Sequence, residues 1–165
     1  MKEIRVEKFV LSMGVTTESD LEDAKKILKN ITGVEPKVTH SKGRNLFGGK
    51  PGDIMGCMLT IRNNNDLLKR LLEAKENQLE ASNFDNTGNF SFGIDEYINI
   101  PDMDYDPQIG IMGLNVAVNL ERKGYSVKRR KIPKKIGKKH RIKKEEAIEF
   151  VKDTFGTEVK GDNNA

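Results

Sequence analysis

The chain has 165 residues, 36% hydrophobic and 33% charged, which suits one ordinary domain with a real core and is too short for two comfortable ones. A single cysteine, Cys57, excludes an internal disulfide and argues against a cysteine-based zinc site; no apolar run approaches a signal segment or a membrane span, so a soluble protein of a reducing compartment with no membrane partner is expected. The net charge of +4 is unevenly spread: thirteen of the 23 residues from Arg122 to Lys144 are Lys or Arg and none is acidic, while the other 142 residues hold 16 basic and 25 acidic side chains.

In chain order, residues 4–13 (IRVEKFVLSM) are rich in Ile, Val and Phe and end at Gly14, which predicts a strand entering a turn. Leu21, Ala24, Ile27, Leu28 and Ile31 recur at helical spacing, with acids ahead of them and Gly33 behind, so a helix is expected there. A short strand around Pro36–Thr39 precedes residues 40–53 (HSKGRNLFGGKPGD), which are aperiodic and read as a long exposed loop. Ile54–Arg62 returns as a strand. Asp66–Glu80 places Leu67, Leu68, Leu71, Leu72 and Leu79 on one helical face, with Asn64 or Asn65 as its N-cap. Turn chemistry in NFDNTGN precedes two further strands, Phe90–Ile100 and Met112–Glu121, the second alternating at Leu114, Val116, Val118 and Leu120. After the basic segment, Ala147, Ile148, Val151 and Phe155 mark a last amphipathic helix stopped by Gly156; residues 160–165 are expected to be a disordered tail. The expected fold is α+β, a two-layer sandwich with a mainly antiparallel sheet, helices packed on one face and the other face free, forming a single domain over residues 1–159.

An enzyme is not expected. Cys57 sits in an apolar strand pattern, the usual setting of a packing cysteine. Asp102, Asp104 and Asp106 begin like a calcium loop, but Pro107 stands where that loop needs Gly and Gly113 where it needs Glu. Gly48, Gly49 and Gly52 precede no Lys-Ser/Thr, so they form no phosphate loop. His40 and His140 lie too far apart in sequence to suggest a metal site, and no cofactor is implied.

The basic segment is the informative feature. It is tied to a strand before it and a helix after it, and Gly124, Pro133 and Gly137 deny it a continuous helix, leaving an irregular loop suited to tracking a phosphate backbone. So many like charges repel one another unless a polyanion neutralises them, which makes a nucleic acid the expected partner. With no helix-turn-helix, zinc-finger or zipper pattern, RNA recognised by shape fits better than DNA read by sequence.

Residues 83–122 (NFDNTGNFSFGIDEYINIPDMDYDPQIGIMGLNVAVNLER) resemble the most distinctive block of the 5S-rRNA-binding large-subunit ribosomal proteins, the fifth family in the universal numbering. MGV at 13–15, ITG followed by Pro36, and MGCMLTIR at 55–62 fall in that family's order, and the ending KKHRIKKEEAIEFVKDTFG is similar to its archaeal and eukaryotic branch. The resemblance runs from about Ile4 to Val159. It implies a non-catalytic protein of the cytoplasmic ribosome that binds 5S rRNA and large-subunit rRNA in the central protuberance, beside a neighbouring 5S-binding ribosomal protein, and reaches toward the peptidyl-site tRNA. By the same resemblance, 5S contacts fall on Ser12, Met13, Gly14, Phe47 and Thr60; Ser12 replaces the family's Asn, and Val34 stands where a Gln is frequent. Residues 40–53 become the tRNA-facing loop, with Lys42, Arg44 and Lys50 as its cations. On charge grounds the basic segment offers rRNA contacts from Arg122, Lys128, Arg129, Arg130, Lys131, Lys134, Lys135, Lys138, Lys139, His140 and Arg141. A non-ribosomal protein-interaction module of the same fold is the alternative.

Overall fold

Alternating Phe9, Leu11 and Met13, all buried, give the first strand, β1 (Ile4–Gly14), its inner side. The computed structural model describes residues 2–15, 17–44 and 50–161. Helix α1 (Glu18–Thr32) opens where the Thr17 hydroxyl accepts the Asp20 backbone N–H and closes at Gly33, whose N–H returns to the Lys29 carbonyl. Strands β2 (Lys37–His40) and β3 (Ile54–Ile61) pair antiparallel, so the segment between them is a hairpin connection. Helix α2 (Asn65–Glu73) is capped by Asn64, which accepts the Leu67 N–H. There follow β4 (Gln78–Glu80), β5 (Phe90–Ile94), β6 (Leu114–Arg122), α3 (Lys144–Phe155) and β7 (Glu158–Lys160). The main sheet is five-stranded and antiparallel, in the order β2-β3-β1-β6-β5; β4 and β7 make a small parallel pair. The fold is α+β, as the sequence indicates.

Two elements depart from the sequence pattern. The helix expected over Asp66–Glu80 stops at Glu73, because Glu76 and Asn77 take positive φ (57° and 54°) and the Asn77 N–H folds back to the Leu72 carbonyl. Leu79 leaves the helical face altogether and is buried in β4 opposite Val159. The strand expected over Phe90–Ile100 ends at Ile94, and Tyr97–Asn99 form a 3-10 turn. Buried Tyr97 dictates that turn: its N–H reaches the Met112 carbonyl and its hydroxyl accepts the Asp106 N–H.

The chain divides into two compact units. The first holds Met1–Phe9, Arg62–Phe92 and Ala117–Ala165. Its core includes Leu68, Leu71 and Leu72 of α2, Val118 and Leu120 of β6, and Ala147 and Val151 of α3. Phe84, Phe90 and Phe92 stack in series there, with ring centroids 5.2 and 6.4 Å apart; each buried side chain of this size contributes about 1.5–3 kcal/mol. The second unit holds Val10–Ile61 and Gly93–Val116, with α1 packed on β3. Cys57 is buried in it, and burial pushes its thiol pKa up, the opposite of what a nucleophile needs. In the same unit Met58 and Thr60 of β3 and Asn115 of β6 are exposed and Ser12 half-buried, all of them uncharged.

The turn after β4 explains the motif FDNTGN. The Asp85 carboxylate accepts from the Thr87 hydroxyl (2.5 Å) and the Asn86 N–H (2.7 Å), which hold it below the ordinary carboxylate range. Asn89 accepts the Leu120 N–H at 3.3 Å and so ties the turn to β6. Gly88 has φ +82°, and a Cβ on it would stand 2.5 Å from Ile142 Cγ2. Glycine is therefore required twice over, by the backbone and by Ile142. Gly88→Ala is expected to lower stability by about 1–3 kcal/mol, seen as an earlier midpoint in urea; an unchanged midpoint would contradict the packing.

Candidate nucleic-acid interface

The basic segment begins where β6 ends, and its first residues are buried. Glu121 is 3% exposed, and its carboxylate receives Arg5, with Nε at 3.0 Å, and Arg129. The same Arg129 guanidinium donates to Glu7 of β1, whose other oxygen takes the Asn119 side-chain amide. Arg129 is thus held from two strands by two carboxylates. Arg122 pairs with Glu146 at 2.9 Å, tying the strand end to α3, and Lys123 pairs with Glu3 at 3.0 Å on the surface.

A neck closes the loop further on. The Tyr125 hydroxyl donates to the His140 carbonyl and accepts the Ile142 N–H, both at 3.1 Å. The His140 ring stands edge-on to Tyr125, and its Nε2 lies 3.0 Å from the Lys123 carbonyl. Tyr125–Arg129 and Lys138–His140 are 3-10 turns, and the Lys134 N–H meets the Val127 carbonyl. The irregular loop expected from Gly124, Pro133 and Gly137 is in fact a closed one with two short helical turns.

This architecture sorts the predicted contacts. Lys128, Arg130, Lys131, Lys134, Lys135, Lys138, Lys139 and Arg141 are exposed, with no carboxylate in ion-pair range among the described residues. Arg122 is a correction: its side chain is 8% exposed and spent on Glu146, because β6 carries it inward. Arg129 is half-exposed yet already bonded twice, and His140 belongs to the neck. These three seat the loop. Sequence reasoning missed the anions that seat it, Glu3, Glu7, Glu121 and Glu146, as well as Tyr125. The one local signal is Glu121, an acid placed directly between an alternating strand and the first cation.

In the second unit, Met13 is also corrected. Strand alternation buries its side chain, and its carbonyl lies so close to Gly56 that no side chain would fit there. Ser12 is half-buried, and Gly14 and Thr60 are exposed. Lys42, Arg44 and Lys50 are exposed at the base of the hairpin connection, which is closed by Ser41 N–H to the Asp53 carbonyl and Gly52 N–H to the Ser41 carbonyl, both 2.8 Å. Phe47 lies outside the described residues. Among those described, no group of His, Cys, Asp or Glu could hold a metal ion, and no helix is long and apolar enough to cross a membrane.

A sequence model for the C-terminus of the uL5 family of ribosomal proteins matches residues 54–150. Proteins named large ribosomal subunit protein uL5 from Cenarchaeum symbiosum and Nitrosopumilus maritimus are each 43% identical to the chain, over 96% of it and over 97% and 95% of their own lengths. The uL5 protein of Nanoarchaeum equitans is 40% identical over 96% of the chain and 97% of its own length. The chain belongs to the uL5 family. It is of the archaeal type, as its basic ending indicates, and its role is structural, not enzymatic. The matched uL5 C-terminal region contains Glu121, Arg129 and Glu146, whereas Glu3, Arg5 and Glu7 precede it.

In this uL5 chain the seat should be measurable apart from any ligand. Glu121→Ala is expected to cost about 3 kcal/mol, since a buried anion shared by two guanidiniums is lost, and Arg129→Ala about 1 kcal/mol, since that side chain is half in solvent. Chemical denaturation compares them, and equal losses would contradict an arrangement centred on Glu121. The Glu146 carboxyl is held below its ordinary 4.5 first by the Lys143 backbone N–H, 3.0 Å away, and then by Arg122, against a smaller opposing effect of burial. It is more acidic folded than unfolded, so its contribution is complete above pH 4.5 and is lost as pH falls through the lower folded value. Glu146→Gln should therefore flatten the acid side of the thermal-midpoint profile; a profile parallel to the parent's would refute the pairing.

Proposed function

We propose that this chain is a constituent of the large ribosomal subunit in the cytoplasm, where it binds 5S rRNA and adjoining large-subunit rRNA. In this reading it anchors 5S rRNA in the central protuberance beside a neighbouring 5S-binding ribosomal protein, and residues 1–159 act as one ribosomal-protein domain. The observation that carries the reading is the set of eight exposed cations, Lys128 to Arg141, on a seated loop in a uL5 family member. Phosphates attract them without competition from carboxylates, and each contact releases condensed counterions. Ser12 and Thr60 add uncharged hydroxyls suited to sugar and phosphate oxygens, contacts that position RNA without adding salt dependence. Lys42, Arg44 and Lys50 extend from the β2–β3 hairpin toward the peptidyl-site tRNA, with Phe47 beside them as a stacking surface.

Filter binding tests the reading directly. The chain should retain 5S rRNA in preference to an unrelated structured RNA of equal length, and equal retention would sink the 5S assignment. Replacing Lys134 and Lys135 together by Ala should flatten the slope of log affinity against log salt by roughly 1.4–1.8. Arg129→Ala should leave that slope near the parent's, because its charge is already neutralised within the protein; a comparable flattening would make Arg129 a phosphate contact after all.

A further inference from the structure

We infer that the groove beneath the basic loop receives one unstacked nucleotide from a single-stranded stretch of RNA. This rests on the RNA-binding reading above and adds what the loop selects. The groove is built within the first unit and has a volume of about 730 Å³, inside the roughly 300–1,000 Å³ usual for small-ligand sites. Lys8, Lys128, Lys134, Lys135 and Arg141 supply a cationic rim. Tyr125, Pro133 and Ile136 supply an apolar wall, and Thr87, Asn89 and Asn119 line it with neutral polar groups. Glu7 and Glu121 also border it, but Arg129, Arg5 and Asn119 already occupy them, so they do not confront an incoming anion as bare charges.

These surfaces together define the ligand. A lone phosphate would leave the apolar wall unused, and a free base would leave the cations unused; a nucleotide uses both. A duplex is excluded by its own geometry, since its bases are stacked with both faces covered and only backbone and groove edges are presented. The groove is held open by the fold: the Lys134 N–H to Val127 carbonyl bond and the Tyr125 neck fix the Pro133–Ile136 wall on either side. No rearrangement is needed before a base enters.

The experiment uses the full chain with three probes: a short single-stranded RNA, the same strand with abasic sugars, and a blunt RNA duplex of equal phosphate count. The intact strand should bind roughly fivefold or more tightly than the abasic one, the scale of one stacked base. It should also shift the NMR resonances of the Asn119 side-chain amide and the Ile136 methyls, which the duplex leaves in place. Ile136→Ala should shrink the preference for the intact strand while keeping the salt slope. Equal binding of intact and abasic strands, or groove resonances that move with the duplex or with no RNA while RNA binds, would overturn the nucleotide site and leave the RNA-binding reading standing. Failure of all three probes and of 5S rRNA to bind would overturn both.

Discussion

The carboxylates of Glu7 and Glu121 close on the Arg129 guanidinium from two strands, and that contact decides where the other cations of the loop point. A run of lysines with no internal acid would otherwise spread to relieve its own repulsion. Here a subset is neutralised at the base: Arg129 by two acids, Arg122 by Glu146, Lys123 by Glu3. The remaining cations are then carried on a closed loop and not on a free polyelectrolyte. Buried ion pairs of this kind contribute modestly to net stability, because desolvation offsets most of the attraction, but they fix one geometry among many. In this protein that geometry is the spacing of the exposed cations.

The two units also divide the chemistry. The first concentrates charge, in the basic loop and its seat, while the second offers neutral, small side chains at Ser12, Thr60 and Asn115 along its strands. Charged contacts to RNA weaken steeply with salt, whereas hydroxyl and amide contacts do so hardly at all. A protein holding both types keeps register on its RNA under conditions where charge alone would let it slide.

Much of this was legible in the sequence, for reasons that are local. The α1 periodicity with its Gly33 stop, the Asn64 cap and the β6 alternation each depend on residues within a few positions, and each is found where expected. The misses are non-local. Leu79 reads as one more helical leucine until Val159 pairs with it, and the Gln78–Lys160 contact joins residues 82 apart. The cation count told that a polyanion was wanted, but not which cations were free, because Arg5 and Glu121 meet across 116 positions. Met13 is the exception, since the Phe9–Leu11–Met13 alternation already points its side chain inward.

The seat of the basic loop draws three of its residues, Glu3, Arg5 and Glu7, from the opening stretch of the chain. The leading residues of a domain are commonly regarded as expendable, and fusions are routinely placed there. For this chain the assumption fails: trimming or crowding the amino end would take away the counter-ions of a loop more than a hundred residues downstream, leaving a surface with its full complement of lysines and no fixed arrangement of them.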